Sequence, residues 1–273
     1  TVFTLALFSL FFACEPVKKE TINDTEEKID SIISLMTIKE KIGQMTQIDQ
    51  QFLDNIQDLS DYAIGSLLSG GGSNPDTNHF EGWADMYDKY QEVALTSRLG
   101  IPLIYGVDAV HGHNNVIGAT IFPHNVGLGC ANDYELCRKV SEATAVEVAA
   151  TGINWNFSPC IAIPQDEKWG RHYEGYSEHV DIVSEMGEAS IIGYQTAKLG
   201  SVNHSIVACA KHFIADGATI WGKTTGNITF AGGVSDTHGN MINVAAISTD
   251  LGTILADGGA DAINITITDA ARR

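Results

Sequence analysis

Four short apolar runs alternate along this chain with segments of helical apolar spacing, and no hairpin signal joins any two of the runs. The runs are Ile64–Leu68, Leu103–Val107, Ile153–Phe157 and Ile206–Phe213. Between them lie His79–Thr96, Asn132–Ala150 and Val180–Ala197. In the first of these, Phe80, Trp83, Tyr87, Tyr90 and Ala94 share a face; in the second, Leu136, Val140, Ala143, Val146 and Ala150 do, with Gly152 placed to end the helix. Strands joined through helices pair in parallel, because a parallel crossover needs a dozen or more residues. The expected fold is therefore α/β, a parallel sheet with flanking helices. At 273 residues the chain can bury a sizeable core in one domain or two.

Before the first run, Thr21–Met36 places Ile29, Ile32, Ile33 and Met36 at helical spacing. Thr37-Ile38-Lys39-Glu40 reads as a capping box, starting a helix expected to bury Ile38, Ile42 and Met45. The glycine-rich loop Ser69–Pro75 lacks the Lys-Ser/Thr pair of a nucleotide-binding loop, so its glycines are read as letting the backbone turn sharply or pass close to a ligand.

The last three runs each end in polar residues. Asp108 follows the second run, Lys211 and His212 close the fourth, and a long charged connection carrying Asp166, Glu167, Lys168, Trp169, Arg171, His172 and Glu174 follows the third. Side chains at the carboxyl ends of successive parallel strands converge on one face, where α/β proteins bind ligands. One carboxylate, two cations and an imidazole suit a polyhydroxylated ligand, whose hydroxyls both donate and accept. Trp169 offers a ring for an apolar ligand face and Arg171 a planar set of donors. The plainer alternative for that connection is a surface loop held by Arg171–Glu174 or Arg171–Asp166 ion pairs.

Other chemistries fit less well. The formal net charge of −18 argues against nucleic acid or an anionic membrane surface as partner. Cys130, Cys137, Cys160 and Cys209 form no C-x-x-C pair, so no structural zinc is expected; one disulfide stays open if the protein is exported. His111, His113 and His124 lack the i, i+4 spacing of a metal helix and are assigned hydrogen-bonding structural roles. Gly127-x-Gly129 precedes the helix read from Asn132 but lacks the third glycine of a dinucleotide site. Val2–Ala13 is continuously apolar, too short to span a bilayer, and reads as the core of an export signal. Ala13-Cys14 resembles a bacterial lipoprotein processing site, so Cys14 is a candidate lipid anchor, although no basic leading segment precedes it and Phe11 departs from the usual pattern. The expected location is periplasmic, outer-membrane-anchored or secreted. Asn-x-Ser/Thr triplets at Asn23, Asn203, Asn227 and Asn264 would matter only in a eukaryotic secretory host.

Five segments in order carry a family resemblance: Tyr105–His113 (YGVDAVHGH), Ala119–Gly129 (ATIFPHNVGLG), Ser158–Ile163 (SPCIAI), Trp169–Glu178 (WGRHYEGYSE) and Ala210–Thr219 (AKHFIADGAT). Together they resemble the N-terminal barrel of glycoside hydrolase family 3, nearest its exo-β-glucanase and β-glucosidase branch. The resemblance implies a partial (β/α)8 TIM-like barrel binding a terminal β-glucosyl unit of a β-glucoside or β-glucan oligosaccharide, with no cofactor and no metal. Asp108 would clasp two sugar hydroxyls, Arg171, Lys211 and His212 would donate to neighbouring ones, and Asp216 would order its loop. Retaining enzymes of this kind need a nucleophilic carboxylate and a carboxyl acid/base about 5 Å apart.

The family's nucleophile lies in a G-F-V-x-S-D-W-like segment, which Gly217–Arg273 does not contain. Val234-Ser235-Asp236 has a local likeness, making Asp236 a candidate nucleophile, though it comes too soon after His212 and lacks the Trp. Ile242–Ala256 reads as a helix and Ala262–Thr268 as a strand, one further βα unit. The expected division is residues 1–20 as signal or lipoprotein segment, 21–217 as the N-terminal part of the barrel, and 218–273 as a divergent or truncated continuation. Two alternatives stand beside the glycosidase reading: a non-catalytic sugar-binding lipoprotein, and a truncated product left unstable by an exposed sheet edge.

Overall fold

The computed structural model describes residues 22–70, 72–196, 198–212, 216–217, 234–235 and 241–242, with side chains described from residue 25 to residue 217. In chain order it begins with helices α1 (Ile22–Leu35) and α2 (Ile38–Gln44) and strand β1 (Gln47–Asp49). Next come α3 (Asp58–Asp61), β2 (Ser66–Ser69), α4 (Phe80–Leu95) and β3 (Ile104–Val107). Helices α5 (Asn125–Ala131) and α6 (Tyr134–Ala150), strand β4 (Trp155–Asn156), α7 (Val180–Gln195) and β5 (Val207–Ala208) complete the main body. The sheet runs β1-β2-β3-β4-β5 with every neighbouring pair parallel, in sequence order. That order is the wall of a TIM-like barrel, as the alternation of runs and helices requires.

Local chemistry accounts for most boundaries. Thr37 accepts from the Glu40 amide while Glu40 accepts from the Thr37 amide at 2.8 Å, closing the expected capping box. Arg98 then forks onto both Glu40 oxygens at 2.8 and 2.7 Å. Asp133 caps α6 through the Leu136 amide, and Gly152 follows the end of that helix at φ +81°, a conformation costly for any residue with a Cβ. The main core is one cluster uniting the sheet with its helices: Leu67, Tyr105, Val107, Trp83, Val148, Ile153 and Ile206 are all buried in it. Each such side chain contributes roughly 1.5–3 kcal/mol by leaving water.

Several expectations are corrected. Ile38, Ile42 and Met45 are 74%, 61% and 87% exposed, because no described element lies over that face of α2. Strand β1 was not legible, since Gln47-Ile48-Asp49 carries a single apolar residue. The helix expected from Asn132 starts later: Asn132 is left-handed at φ 49° and separates α5 from α6, so Gly127 and Gly129 lie inside α5. On α6 the buried positions are Cys137, Ser141, Thr144, Ala145 and Val148, whereas Leu136 and Val146 face outward. The reason is close packing on α7, where Ser141 and Ser190 hydroxyls meet at 2.7 Å and small residues let the helices approach. Ile242 lies in a short strand, Met241–Ile242, paired antiparallel with Val234–Ser235, not at the start of a helix. The rest of the expected helix to Ala256, the strand Ala262–Thr268, the apolar start including Cys14, and Asp236 lie outside the described residues.

Candidate functional site

The site starts from where the strands stop. Asp108 is the first residue past β3, beside Ser69 and Gly70 at the end of β2; its amide donates to the Ser69 carbonyl. A Cβ on Gly70 would stand 3.0 Å from Asp108 Oδ2, so any side chain there would crowd the carboxylate. The loop beyond is fixed from below: fully buried Asn156, on β4, accepts from the Ala109 amide and donates to the Ala109 carbonyl, both at 3.0 Å. Neither half of that clamp can be lost without stranding a buried polar group.

Past β4 and β5 the two backbones pair once more, with the register shifted by one residue. Lys211 bridges Cys160 in parallel, with its amide donating to the Pro159 carbonyl and its carbonyl accepting from the Ile161 amide. This carries Lys211 to the rim, where Nζ meets Asp108 Oδ1 at 2.8 Å. The ammonium end is well covered and the carboxylate is more open, their side chains being 14% and 43% exposed.

Arg171 arrives on the long connection after β4. Its Nε and Nη2 donate to the two oxygens of Glu174, each at 2.6 Å. Its Nη2 also donates to His212 Nε2 at 3.0 Å. A nitrogen that accepts from a guanidinium cannot carry a proton, so His212 is the Nδ1–H tautomer. That Nδ1 lies 2.8 Å from Asp216 Oδ2, close but without good hydrogen-bond alignment. Burial, together with the neighbouring Arg171 charge, holds the His212 pKa below its ordinary value, against the pull of Asp216. Burial alone would raise the Glu174 carboxyl, but its hydrogen bonds to Arg171 and the charges of Arg171, Lys211 and His212 keep it below the usual range.

Asp108, Arg171, Lys211 and His212, predicted from three different strand ends, are thus linked in two contacting pairs at one rim. The Arg171–Glu174 ion pair of the plainer alternative is also present. Trp169 does not present its ring: it is 2% exposed and packs with Cys160 and Ala162. The exposed ring on that loop is Tyr173, which stands edge-on to His124 at 4.6 Å. The three histidines separate. His113 is fully buried, with Nε2 3.2 Å from the Thr151 hydroxyl, while His111 and His124 meet ring to ring at 4.0 Å. Sequence reading missed Glu174 as the anchor of Arg171 within the site and Asn156 as the clamp below Asp108. The i, i+3 spacing signalled only the first.

Among the described residues, this is an α/β domain of TIM-like barrel type with a polar cluster at the carboxyl rim of its strands. Residues 37–229 match the glycosyl hydrolase family 3 N-terminal domain, and the chain belongs to that family. It is 34% identical over 230 residues to the lysosomal beta glucosidase of Dictyostelium discoideum, covering 76% of this chain and 28% of that protein. The solved exo-1,3/1,4-beta-glucanase of a Pseudoalteromonas species superposes with a TM-score of 0.69 at 39% identity, covering 76% of this chain and 26% of that one. The beta-glucosidase of Listeria innocua, solved in complex with glucose, gives a TM-score of 0.58 at 32% identity over 71% of this chain and 27% of its own. Other relatives carry the name periplasmic beta-glucosidase. The chain thus spans about a quarter of the length of the proteins it matches.

Proposed function

We propose that this chain supplies the sugar-binding floor of a β-glucosidase-like glycoside hydrolase, acting on terminal β-D-glucosyl residues of a β-glucoside or β-glucan oligosaccharide. The observation that carries the reading is the junction of Asp108 with Lys211 and of Arg171 with His212 at one rim, in a chain of this family. Asp108 accepts from two sugar hydroxyls, Lys211 and Arg171 donate to their neighbours, and His212 donates to a further hydroxyl as the Nε2–H tautomer, which it takes when a sugar oxygen replaces it on Arg171; Asp216 orders the loop. Hydrolysis proceeds by double displacement with retention, a carboxylate forming a glycosyl intermediate that water then releases, with no metal or organic cofactor.

Within the described residues Asp108 is paired with Lys211 and Glu174 with Arg171, while Asp216 lies beside His212 without a hydrogen bond to it. This supports sugar recognition over chemistry for these residues and favours, as second reading, a non-catalytic sugar-binding lipoprotein. Asp236 is kept as the candidate nucleophile of the glycosidase reading, and its acid/base is unassigned. Residues 1–20 act as export or lipoprotein segment, with Cys14 as its lipid anchor; 21–217 form the barrel part and 218–273 its divergent or truncated continuation. The location follows as periplasmic, outer-membrane-anchored or secreted, and no nucleic-acid partner is expected.

Calorimetry on the purified chain tests this. Glucose should bind weakly, and Asp108→Ala should abolish binding, since a lost hydroxyl partner costs about 1–3 kcal/mol. Unchanged affinity in that variant overturns the site assignment. Hydrolysis of an aryl β-glucoside should stay at background; turnover that Asp236→Ala removes would make Asp236 the nucleophile and discard the non-catalytic reading.

A further inference from the structure

We infer that Asn125 is a positioning residue, which aims Arg171 at the ligand by holding the backbone of Glu174 in place. This rests on the reading of the rim given above and names a residue beyond it.

Arg171 has few donors to spare. Its Nε–H goes to Glu174 Oε1, and its Nη2 hydrogens go to Glu174 Oε2 and His212 Nε2. A guanidinium carries five N–H donors, so among the described residues the two on Nη1 remain for a first sugar oxygen. The group is planar and forked onto both Glu174 oxygens, so the direction of Nη1 is set by the plane of the Glu174 carboxylate. Whatever holds Glu174 therefore aims Arg171.

The Glu174 amide donates to the Arg171 carbonyl at 3.0 Å, and its carbonyl accepts from Asn125 Nδ2 at 2.9 Å. The first bond moves with the turn, whereas the second ties the turn to α5. Asn125 is 7% exposed and is the first residue of that helix. One helical turn further on, on the same face, Gly129 presses on the Tyr176 carbonyl so closely that no Cβ fits between them. The same segment also reaches the other half of the site. The Phe122 amide donates to the His111 carbonyl at 2.9 Å, and the His124 and His111 rings meet at 4.0 Å. His111 belongs to the loop that begins at Asp108, so residues 122–125 hold Arg171 at a set offset from Asp108. A carbonyl can only accept, so the Asn125 amide must present its nitrogen to Glu174, and a side chain without that N–H cannot replace it.

Magnetic resonance of the His212 ring in the full chain reads Arg171 without any sugar. Burial and the charges of Arg171 and Lys211 hold the His212 pKa below its ordinary value, against Asp216 and Glu174. Asn125→Ala should release Arg171 and let His212 titrate at a higher pH; an unchanged titration overturns the inference. Calorimetry reads the consequence for binding. Asn125→Ala should weaken glucose about 3- to 10-fold in the otherwise unaltered chain, the worth of one hydrogen bond. In Glu174→Ala, where no carboxylate is left to aim, the same change should cost less than about twofold. Equal losses in both backgrounds overturn the inference, because a residue that merely kept the loop folded would act alike in both. Near-UV circular dichroism checks the fold, and Asn125→Asp, which keeps the shape but has no N–H, serves where Asn125→Ala does not fold. It should weaken glucose at least as much as Asn125→Ala; full affinity in Asn125→Asp would mean that packing and not the bond matters, and overturns the inference too. Should no chain bind glucose, the reading of the rim falls, while the His212 titration still decides this one.

Discussion

Helices α4 and α2 carry the same kind of apolar stripe and end up in opposite surroundings. On α4, Trp83 and Ala94 are buried, and Phe80, Tyr87 and Tyr90 pack partly against the same cluster, with β2 and β3 beneath them. On α2, Ile38, Ile42 and Met45 share a face by the same spacing and stay largely exposed. Periodicity therefore states which side chains lie together on a helix. Whether that face is buried depends on a second surface, and α4 follows an inner strand whereas α2 precedes the edge strand β1.

The largest effect expected from this contrast is at Trp83. Trp83→Ala should cost about 3–5 kcal/mol in urea unfolding, because the ring is fully buried and close-packed neighbours relax only partly into the gap. A loss below about 1 kcal/mol would mean that the α4 side of the core is no better filled than α2 and would erase the distinction.

The next effect concerns His113, which sits beside Trp83 with ring centroids 5.5 Å apart. Burial lowers its pKa from 6.5 to about 4, so the neutral ring is the folded form. The unfolded chain then takes up a proton that the folded chain refuses. Stability from this residue is whole above about pH 6.5, declines as the pH falls, and levels off below about pH 4, for a total of about 3 kcal/mol. Urea midpoints at pH 7.5 and 4.5 should therefore fall further for the native chain than for His113→Gln. Equal falls would show that His113 is reached by water, and that the core is less sealed than its packing implies.

The smallest effect is expected on α2. Met45→Ser should change stability by less than about 0.5 kcal/mol, as for a surface position without partners. A loss above about 1 kcal/mol would sharpen the comparison, since it would mean that the α2 face is covered in solution.

The site divides in a similar way. Asp108, Lys211 and His212 were legible because each stands at the end of an apolar run, and parallel strands send their carboxyl ends the same way. Arg171 was legible only as part of a charged loop, and what holds it was not: Glu174 could equally have been a solvated surface partner. Trp169 was misjudged and Tyr173 passed over for a physical reason. Four residues apart on an irregular loop, they follow no period that would tell an inward ring from an outward one, and the larger ring went into the core. Strand β1 escaped notice because an edge strand of three residues needs few apolar side chains. The face of α6 was misread because it packs through serine, threonine and alanine, which hydrophobic periodicity undercounts.

By itself the sequence determined the parallel βα order, the capped helix start at Thr37, the family segments and the polar residues at three strand ends. Each of these is set by a few neighbouring residues, through hydrogen bonds and apolar spacing that need no distant partner. Only the tertiary structure decided that Lys211 lies against Asp108 and His212 against Arg171, that Asn156 clamps the loop below them, and that Tyr173 faces outward while Trp169 does not. Those outcomes join residues far apart in the chain, and they depend on strand register and on which surface each loop finds to cover, quantities that no local window of sequence contains.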